Sequence, residues 1–229
     1  MWFNGKPANN ILVISPHADD EVIGCGGMIA RACKYGINVT VVVMATGGVK
    51  HCHLMEMTST EIRTSELNLC AHRLGVSRTQ ILFPGKDMSL HTIPSLELVS
   101  ALDIVLDECE YDECYIPEPS HNSDHRITFE SAMAALRPGA RRHPLTVATY
   151  ESTTSGWWNK SVFGGGQLYV DITSTIENKF HAFEAYQSQI HSFPHPVSLG
   201  ALKKLAAYRG MECGVEYAEL FQIIRVVRL

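Results

Sequence analysis

Two polar clusters in the sequence carry side chains that could bind a metal ion. His17 and Asp20 lie three residues apart at the start of a predicted helix, so both can face the same side. A neutral imidazole and a carboxylate are both good zinc ligands. The second cluster, Asp124-His125, lies far along the chain. His125 would complete a site of two histidines and one carboxylate.

Such a ligand set is typical of a catalytic zinc site. Catalytic sites hold zinc with three protein ligands and keep a position open for water, whereas structural sites use four ligands. One Zn²⁺ per chain is therefore predicted, bound by His17, Asp20 and His125. Asp19 lies between the first two ligands, where it can face the water as a general base.

Two other interpretations of the first cluster stay open. Acidic residues after a strand often cap a helix, and Asp19 or Asp20 could serve in that way. His17-Ala18-Asp19 also has the ligand spacing of a non-haem Fe(II) oxygenase with a two-His-one-carboxylate site. Two separate clusters favour a metal over a cap. The alternation of predicted strands and helices along the chain argues against an oxygenase, since those enzymes usually adopt all-β barrels.

Predicted strands and helices alternate along the chain. Short apolar runs without alternation indicate strands that are buried on both faces of a parallel sheet. The predicted strands are Ile11–Ser15, Asn38–Met44, Gln80–Phe83, Glu113–Ile116, Leu145–Tyr150, Leu168–Ile172 and Tyr217–Val227, the last at an edge. The predicted helices are Val22–Tyr35, Thr58–Leu74, Ile93–Glu110, Ile127–Leu136, Ser174–Ile190 and Leu199–Glu212. This order predicts one α/β domain, residues 1–229, with a Rossmann-like three-layer sandwich: a mostly parallel sheet with helices on both faces.

This topology would bring the two clusters together. In open parallel sheets, ligands bind beyond the carboxyl ends of the strands, at the point where the strand order reverses. The first cluster follows the first predicted strand and the second follows the fourth. In the usual strand order these two strands are neighbours, so His17 and His125 are expected to meet in one crevice.

Composition excludes several classes of protein. The 229 residues carry a net charge of −5, which argues against nucleic-acid binding because that requires a basic surface. No apolar run is long enough to span a bilayer, and Met1–Asn10 lacks the apolar stretch of a signal peptide. Seven cysteines, an odd number, do not suggest a disulfide framework. A cytoplasmic protein without a transmembrane segment is predicted.

A glycine-rich stretch offers a third alternative, a dinucleotide-binding module. Gly24-Cys25-Gly26-Gly27 follows the first strand, but the third glycine of the GxGxxG pattern falls on Ile29. The acidic cluster before it would also repel a pyrophosphate. These glycines more simply allow a helix to pack closely against the sheet.

The residues from Pro16 to Glu21 (PHADDE) resemble the (A/P)HPDDE signature of the LmbE/PIG-L-like zinc-dependent de-N-acetylases. The similarity extends over nearly the whole chain. Weaker matches follow in the family's order: Thr46-Gly47-Gly48, Arg63, Glu66, Leu74-Gly75-Val76, Phe83–Asp87, Asp124-His125-Arg126, Tyr186-Gln187-Ser188-Gln189 and Arg209-Gly210.

The resemblance implies removal of an N-acetyl group from an N-acetylglucosamine-type sugar or glycoconjugate by metal-activated water. It implies His17, Asp20 and His125 as zinc ligands and Asp19 as the base. It also implies that Arg63 and Asp87 hold sugar hydroxyls or a substrate carbonyl. Trp157 and Trp158, in a predicted mobile loop from Thr153 to Gly166, could stack on a sugar face.

One departure concerns the general acid. The family commonly writes its second motif HxDH, with a catalytic histidine three residues before the ligand, and here that position is Asn122. A shift by one residue would let His121 serve as the acid, with His191 and His195 as the other candidates. Asp124 could orient the acid or brace a metal ligand. His51 and His53 are expected to be solvated.

Overall fold

The fold is described from a computed structural model, which covers residues 8–48, 59–139, 144–153 and 166–227. His51, His53, Trp157 and Trp158, and with them most of the predicted mobile loop, lie outside these ranges. The strands are β1 (Asn10–Ser15), β2 (Asn38–Thr46), β3 (Arg78–Pro84), β4 (Glu113–Pro117), β5 (Thr146–Tyr150), β6 (Gly166–Asp171) and β7 (Ala218–Val226). The helices are α1 (Asp20–Lys34), α2 (Thr60–Leu74), α3 (Ser95–Glu108), α4 (Ser123–Ala135), α5 (Ile176–Phe183) and α6 (Leu199–Cys213).

The strands form one seven-stranded sheet in the order β3-β2-β1-β4-β5-β7-β6. The first five strands along the chain pair in parallel, and β7 pairs antiparallel with both β5 and β6. Strands β1 and β4 are neighbours, with Ile11 opposite Glu113, as the sequence predicts. Strands β2 and β3 lie on one side of β1, whereas β4 and β5 lie on the other side. The strand order therefore reverses between β1 and β4, and a crevice opens at the carboxyl ends of these two strands.

Helices cover both faces of the sheet, which confirms the predicted three-layer α/β fold. Alternate residues of β1 point to opposite faces. Ile11 and Val13 pack in the core beneath α1, α2, α5 and α6, whereas Leu12 and Ile14 pack in the core beneath α3 and α4. The limits of the single domain, residues 1–229, stay a prediction. Within the described part of the chain, no helix has the length and apolar character needed to cross a membrane.

The glycines of α1 allow close packing, as expected. A Cβ atom at Gly24 would lie 2.2 Å from Cδ2 of Tyr150, and one at Gly27 would lie 2.6 Å from Cγ2 of Ile172. Both distances are far below van der Waals contact, so a side chain at either position would push the helix away from its neighbours. This explains the glycine-rich stretch without a bound dinucleotide.

Three sequence predictions about elements are wrong in detail. The last strand is not at an edge: β7 lies between β5 and β6, because it pairs with both and buries Phe221 against Tyr115. The helix predicted over Ser174–Ile190 is α5, Ile176–Phe183; beyond it, Tyr186 and Ser188 contact α1 and α2 instead of continuing the helical turns. Helix α4 begins four residues before the predicted Ile127.

The earlier start of α4 matters for the second polar cluster. Asn122 caps the helix, and its side-chain oxygen accepts a hydrogen bond of 2.9 Å from the Asp124 N–H. Asp124 and His125 therefore lie in the first turn of α4, just beyond the carboxyl end of β4.

Candidate metal centre

The first polar cluster is built where β1 ends and α1 begins. The Ser15 hydroxyl donates to the carbonyl of His17 (2.6 Å) and fixes the turn between strand and helix. Asp19 is the residue before the helix, and its carbonyl accepts a hydrogen bond of 3.0 Å from Ile23 N–H. Its backbone has φ 137° and ψ −29°, a conformation that residues with side chains rarely adopt. Backbone strain of this kind is concentrated at functional sites.

The three predicted metal ligands converge at this point. Oδ2 of Asp20 lies 3.3 Å from Nδ1 of His17 and 3.2 Å from Nε2 of His125. All three side chains are buried, and their ligand atoms lie within 4.8 Å of one another. Ligand atoms bound tetrahedrally at about 2.0–2.1 Å from one ion would be about 3.3 Å apart, which agrees with these separations.

The surroundings of the Asp20 carboxylate are also those expected of a ligand to a cation. Oδ2 of Asp20 accepts no hydrogen bond, although both imidazoles approach it. Buried carboxylate oxygens without a donor are costly unless they bind a cation. Burial raises the pKa of Asp20, but the charge of His125 and the close approach of both imidazoles outweigh it and lower that pKa. The Asp20 carboxylate is thus ionised and available as a ligand.

The far side of His17 faces two more carboxylates. Its Nε2 lies 3.3 Å from Oδ2 of Asp124 and 3.3 Å from Oδ1 of Asp87. Burial alone would lower the pKa of His17, but these partners, together with Asp20, raise it well above its ordinary value. Metal-binding histidines commonly donate their second ring nitrogen to a carboxylate, which orients the ring. Asp124, fully buried, is placed to orient His17 in this way.

The Asp19 carboxylate contacts Arg63. Oδ1 of Asp19 lies 3.6 Å from Nη2 of Arg63, which also donates to the carbonyl of Ala18. Burial raises the pKa of Asp19 to about 8, although the Arg63 guanidinium opposes the shift. A carboxyl group whose pKa lies near neutrality is suited to exchange protons during a reaction. Arg63 is itself buried and braces Asp19, a role additional to the substrate contact that the resemblance implies.

The predicted acid histidines lie outside this cluster. His121 is exposed and belongs to neither group of potential metal ligands that the described residues form. His191 and His195 are also exposed, and their rings pack together with centroids 3.9 Å apart. Asn122, at the family's histidine position, is occupied in capping α4, and its amide nitrogen donates to the sulfur of Met88 (3.5 Å).

Three residues around Asp19 were not singled out as functional from the sequence. Glu21 accepts hydrogen bonds from the Asp19 N–H (2.9 Å) and from the Tyr186 hydroxyl. Glu66 accepts two bonds of 2.7 Å from the N–H and hydroxyl of Ser188. Glu21, Glu66 and Tyr186 all fall within the stretches that carry the family resemblance, which was the only signal that could have indicated them.

The fold and this cluster define an α/β protein with a candidate metal centre at the carboxyl ends of its central strands. The sequence profile of the GlcNAc-PI de-N-acetylase family, PIG-L, matches residues 12–136, just over half of the chain. The chain therefore belongs to the PIG-L family, and the resemblance found in the sequence is confirmed.

Two relatives align with most of the chain. The diacetylchitobiose deacetylase of Thermococcus kodakarensis is 26% identical over 239 residues, which covers 93% of this chain and 84% of that protein. The structure of N,N'-diacetylchitobiose deacetylase from Pyrococcus horikoshii superposes with a TM-score of 0.75 and 27% identity, covering 97% of this chain and 87% of that one. Deacetylases are thus similar to this protein over its length.

The fold also occurs in an enzyme of another class. The 4-carboxy-2-hydroxymuconate hydratase of Pseudomonas putida superposes with a TM-score of 0.73 at 20% identity, covering 96% of this chain and 99% of that one. At this identity the likeness concerns the fold alone, so the reaction must be argued from the site. The Fe(II) oxygenase alternative finds no support, because Asp20 and not Asp19 approaches both imidazoles.

Proposed function

We propose that this protein is a zinc-dependent hydrolase that removes the N-acetyl group from an N-acetylglucosamine-type sugar or its conjugate. The observation that carries the proposal is the placement of one Asp20 oxygen within 3.3 Å of nitrogen atoms on both His17 and His125, with Asp19 beside it. Membership of the PIG-L family and similarity to two diacetylchitobiose deacetylases support it.

His17, Asp20 and His125 would hold one zinc ion. When bound, zinc lowers the pKa of water and polarises the amide carbonyl. Asp124 contacts Nε2 of His17 and keeps that ring in place, and Asp87 contacts the same nitrogen. Because Asp87 is the more exposed of these two carboxylates, it is the one we propose to reach a sugar hydroxyl.

Asp19 is the proposed base. Its carboxylate accepts a proton from the attacking water as the water oxygen bonds to the acetyl carbon. The C–N bond then breaks, and a proton must reach the leaving nitrogen. Asp19, protonated in the first step, can return that proton, and the products are acetate and the free amine. Arg63 holds the carboxylate through its contact with Oδ1.

Substrate release assays test the proposal. Purified protein with zinc is incubated with N-acetylglucosamine, N,N'-diacetylchitobiose and N-acetylglucosaminyl-inositol, and both acetate and free amine are measured. We expect equal amounts of acetate and free amine from at least one sugar. Diacetylchitobiose is the first candidate because the two diacetylchitobiose deacetylases align over most of the chain. No product from any N-acetylated sugar, under conditions where zinc is bound, would refute it. A cytoplasmic location stays a prediction.

A further inference from the structure

The backbone of Asp19 needs support from its surroundings. Its φ of 137° lies in a region that favours glycine, and a residue with a side chain stays there only when neighbouring contacts hold it. Three contacts do so. The Asp19 N–H donates to Oε2 of Glu21 (2.9 Å), the Asp19 carbonyl accepts from Ile23, and Arg63 binds the preceding carbonyl of Ala18.

Glu21 is in turn held by a residue from the other end of the chain. The hydroxyl of Tyr186 donates to Oε1 of Glu21, and the thiol of Cys70 approaches the same oxygen at 3.6 Å. Glu21 is 1% exposed and Tyr186 is fully buried, so the hydrogen bond between them is shielded from bulk solvent. A buried carboxylate that loses a donor must find another or move.

Tyr186 also contacts the second group that holds Asp19. The guanidinium of Arg63 lies over the Tyr186 ring, 5.6 Å from its centroid. This distance permits a cation–π interaction, which limits where the guanidinium can lie. The one tyrosine therefore supports Asp19 along two routes, through Glu21 to its backbone and through Arg63 to its carboxylate.

The segment that carries Tyr186 is fastened to α2 nearby. Both the N–H and the hydroxyl of Ser188 bond to the carboxylate of Glu66 at 2.7 Å. Glu66 lies 3.8 Å from Nη1 of Arg63. The turn after α5 is thereby fixed against α1 and α2, the two helices that carry Glu21 and Arg63, close to Asp19 at the start of α1.

From this geometry we infer that Tyr186 is a positioning residue: through Glu21 and Arg63 it sets the orientation of the Asp19 carboxylate. The inference rests on the proposed role of Asp19 as the base. Tyr186 itself touches neither the ligand atoms nor Asp19 in the contacts described, so its removal is expected to affect turnover and not metal binding.

The test compares Tyr186→Phe with Tyr115→Phe. Tyr115 is a matched control: it is also fully buried, and its hydroxyl donates to a buried glutamate, Glu113, at 2.8 Å. We expect Tyr186→Phe to lower kcat by about 10- to 100-fold, with KM and zinc stoichiometry unchanged, since small displacements of a catalytic group cost this much. Tyr115→Phe should leave kcat within about twofold. Their melting temperatures should fall by similar amounts.

A kcat of Tyr186→Phe within twofold of wild type would overturn the inference while leaving the proposed function intact. An equal loss in both variants would also overturn it, since the loss would then reflect general damage to the core. Loss of zinc in Tyr186→Phe would overturn it as well, because Tyr186 would then act on the ligands.

A second measurement does not depend on enzyme activity. Hydrogen exchange of the Asp19 amide, followed by NMR, should be faster in Tyr186→Phe than in wild type and unchanged in Tyr115→Phe. Ser188→Ala, which removes one of the two bonds to Glu66, should give a smaller increase in the same direction. Unchanged exchange in both Tyr186→Phe and Ser188→Ala would overturn the inference even if no N-acetylated sugar proved to be a substrate.

Discussion

Oδ2 of Asp20 lies 3.2 Å from Nε2 of His125, although nearly half of the chain separates the two residues. The sheet order explains the contact, because β1 and β4 are neighbours and each is followed at its carboxyl end by one of the polar clusters. This carboxylate and imidazole, with the His17 imidazole 3.3 Å from the same carboxylate oxygen, form the core of the proposed zinc site.

The adjacent residues Asp19 and Asp20 should respond differently to the same change. Asp19→Asn should lower kcat by about 10²- to 10⁴-fold, the usual contribution of a general base, and keep about one zinc per chain. Asp20→Asn should lose zinc as well as activity, because it removes a ligand. Metal analysis by mass spectrometry beside steady-state kinetics makes the comparison. Loss of zinc in Asp19→Asn would mean that the assignment of base and ligand is wrong.

Zinc should stabilise the folded protein through His125. A ligand that binds only the folded state at a hundredfold excess over Kd contributes about 2.7 kcal/mol, which for a chain of this size raises Tm by roughly 5–10 °C. Differential scanning fluorimetry with and without zinc measures the shift. His125→Ala should abolish it, whereas His121→Ala, a histidine outside the cluster, should retain it. A shift that survives in His125→Ala would place the zinc elsewhere.

The His121 imidazole is exposed and lies outside the ligand cluster, so His121→Ala should keep kcat within about threefold of wild type. A fall of a hundredfold or more would instead identify His121 as the general acid. His191→Ala and His195→Ala, measured in the same assay, show whether the exposed histidine pair after α5 contributes a proton. If all three variants remain active, Asp19 is left as the group that protonates the amine.

Stability should depend on pH through Glu113, which is fully buried at the start of β4. Burial raises its pKa from 4.5 to about 7, although the Tyr115 hydroxyl opposes the shift. The folded state thus holds the proton more tightly than the unfolded state, so this carboxyl destabilises the fold as pH rises from about 4.5 through 7. The penalty is on the order of 3 kcal/mol above pH 7. Below pH 4.5 it vanishes, because both states are protonated.

Glu113→Gln removes this titration. The free energy of unfolding of the variant minus that of wild type should therefore increase between pH 5 and pH 8. A pH-independent effect of the substitution on stability would not change this increase. Urea unfolding at several pH values measures it. A difference that is independent of pH would show that Glu113 has an ordinary pKa.

The sequence predicted the residues that would bind the metal more completely than the residues that hold the proposed base in position. The buried strands β1 and β2 could be predicted because their long apolar, β-branched runs leave few alternatives. The positions of His17, Asp20 and His125 follow from the strand order. The position of β7 could not be read from its pattern, because inserting a strand between β5 and β6 depends on which partners it meets. Glu21 and Tyr186 were missed for a related reason: their contact joins distant parts of the chain, and no spacing reveals it.

The most direct test of the account is a zinc titration of metal-free protein with N,N'-diacetylchitobiose as substrate, in which released acetate and free amine are measured together. The proposed site holds one ion, so activity should be absent without metal and rise linearly until one zinc per chain has been added, with acetate and amine in equal amounts. Full deacetylation by the metal-free protein, or acetate release that does not respond to zinc, would contradict it.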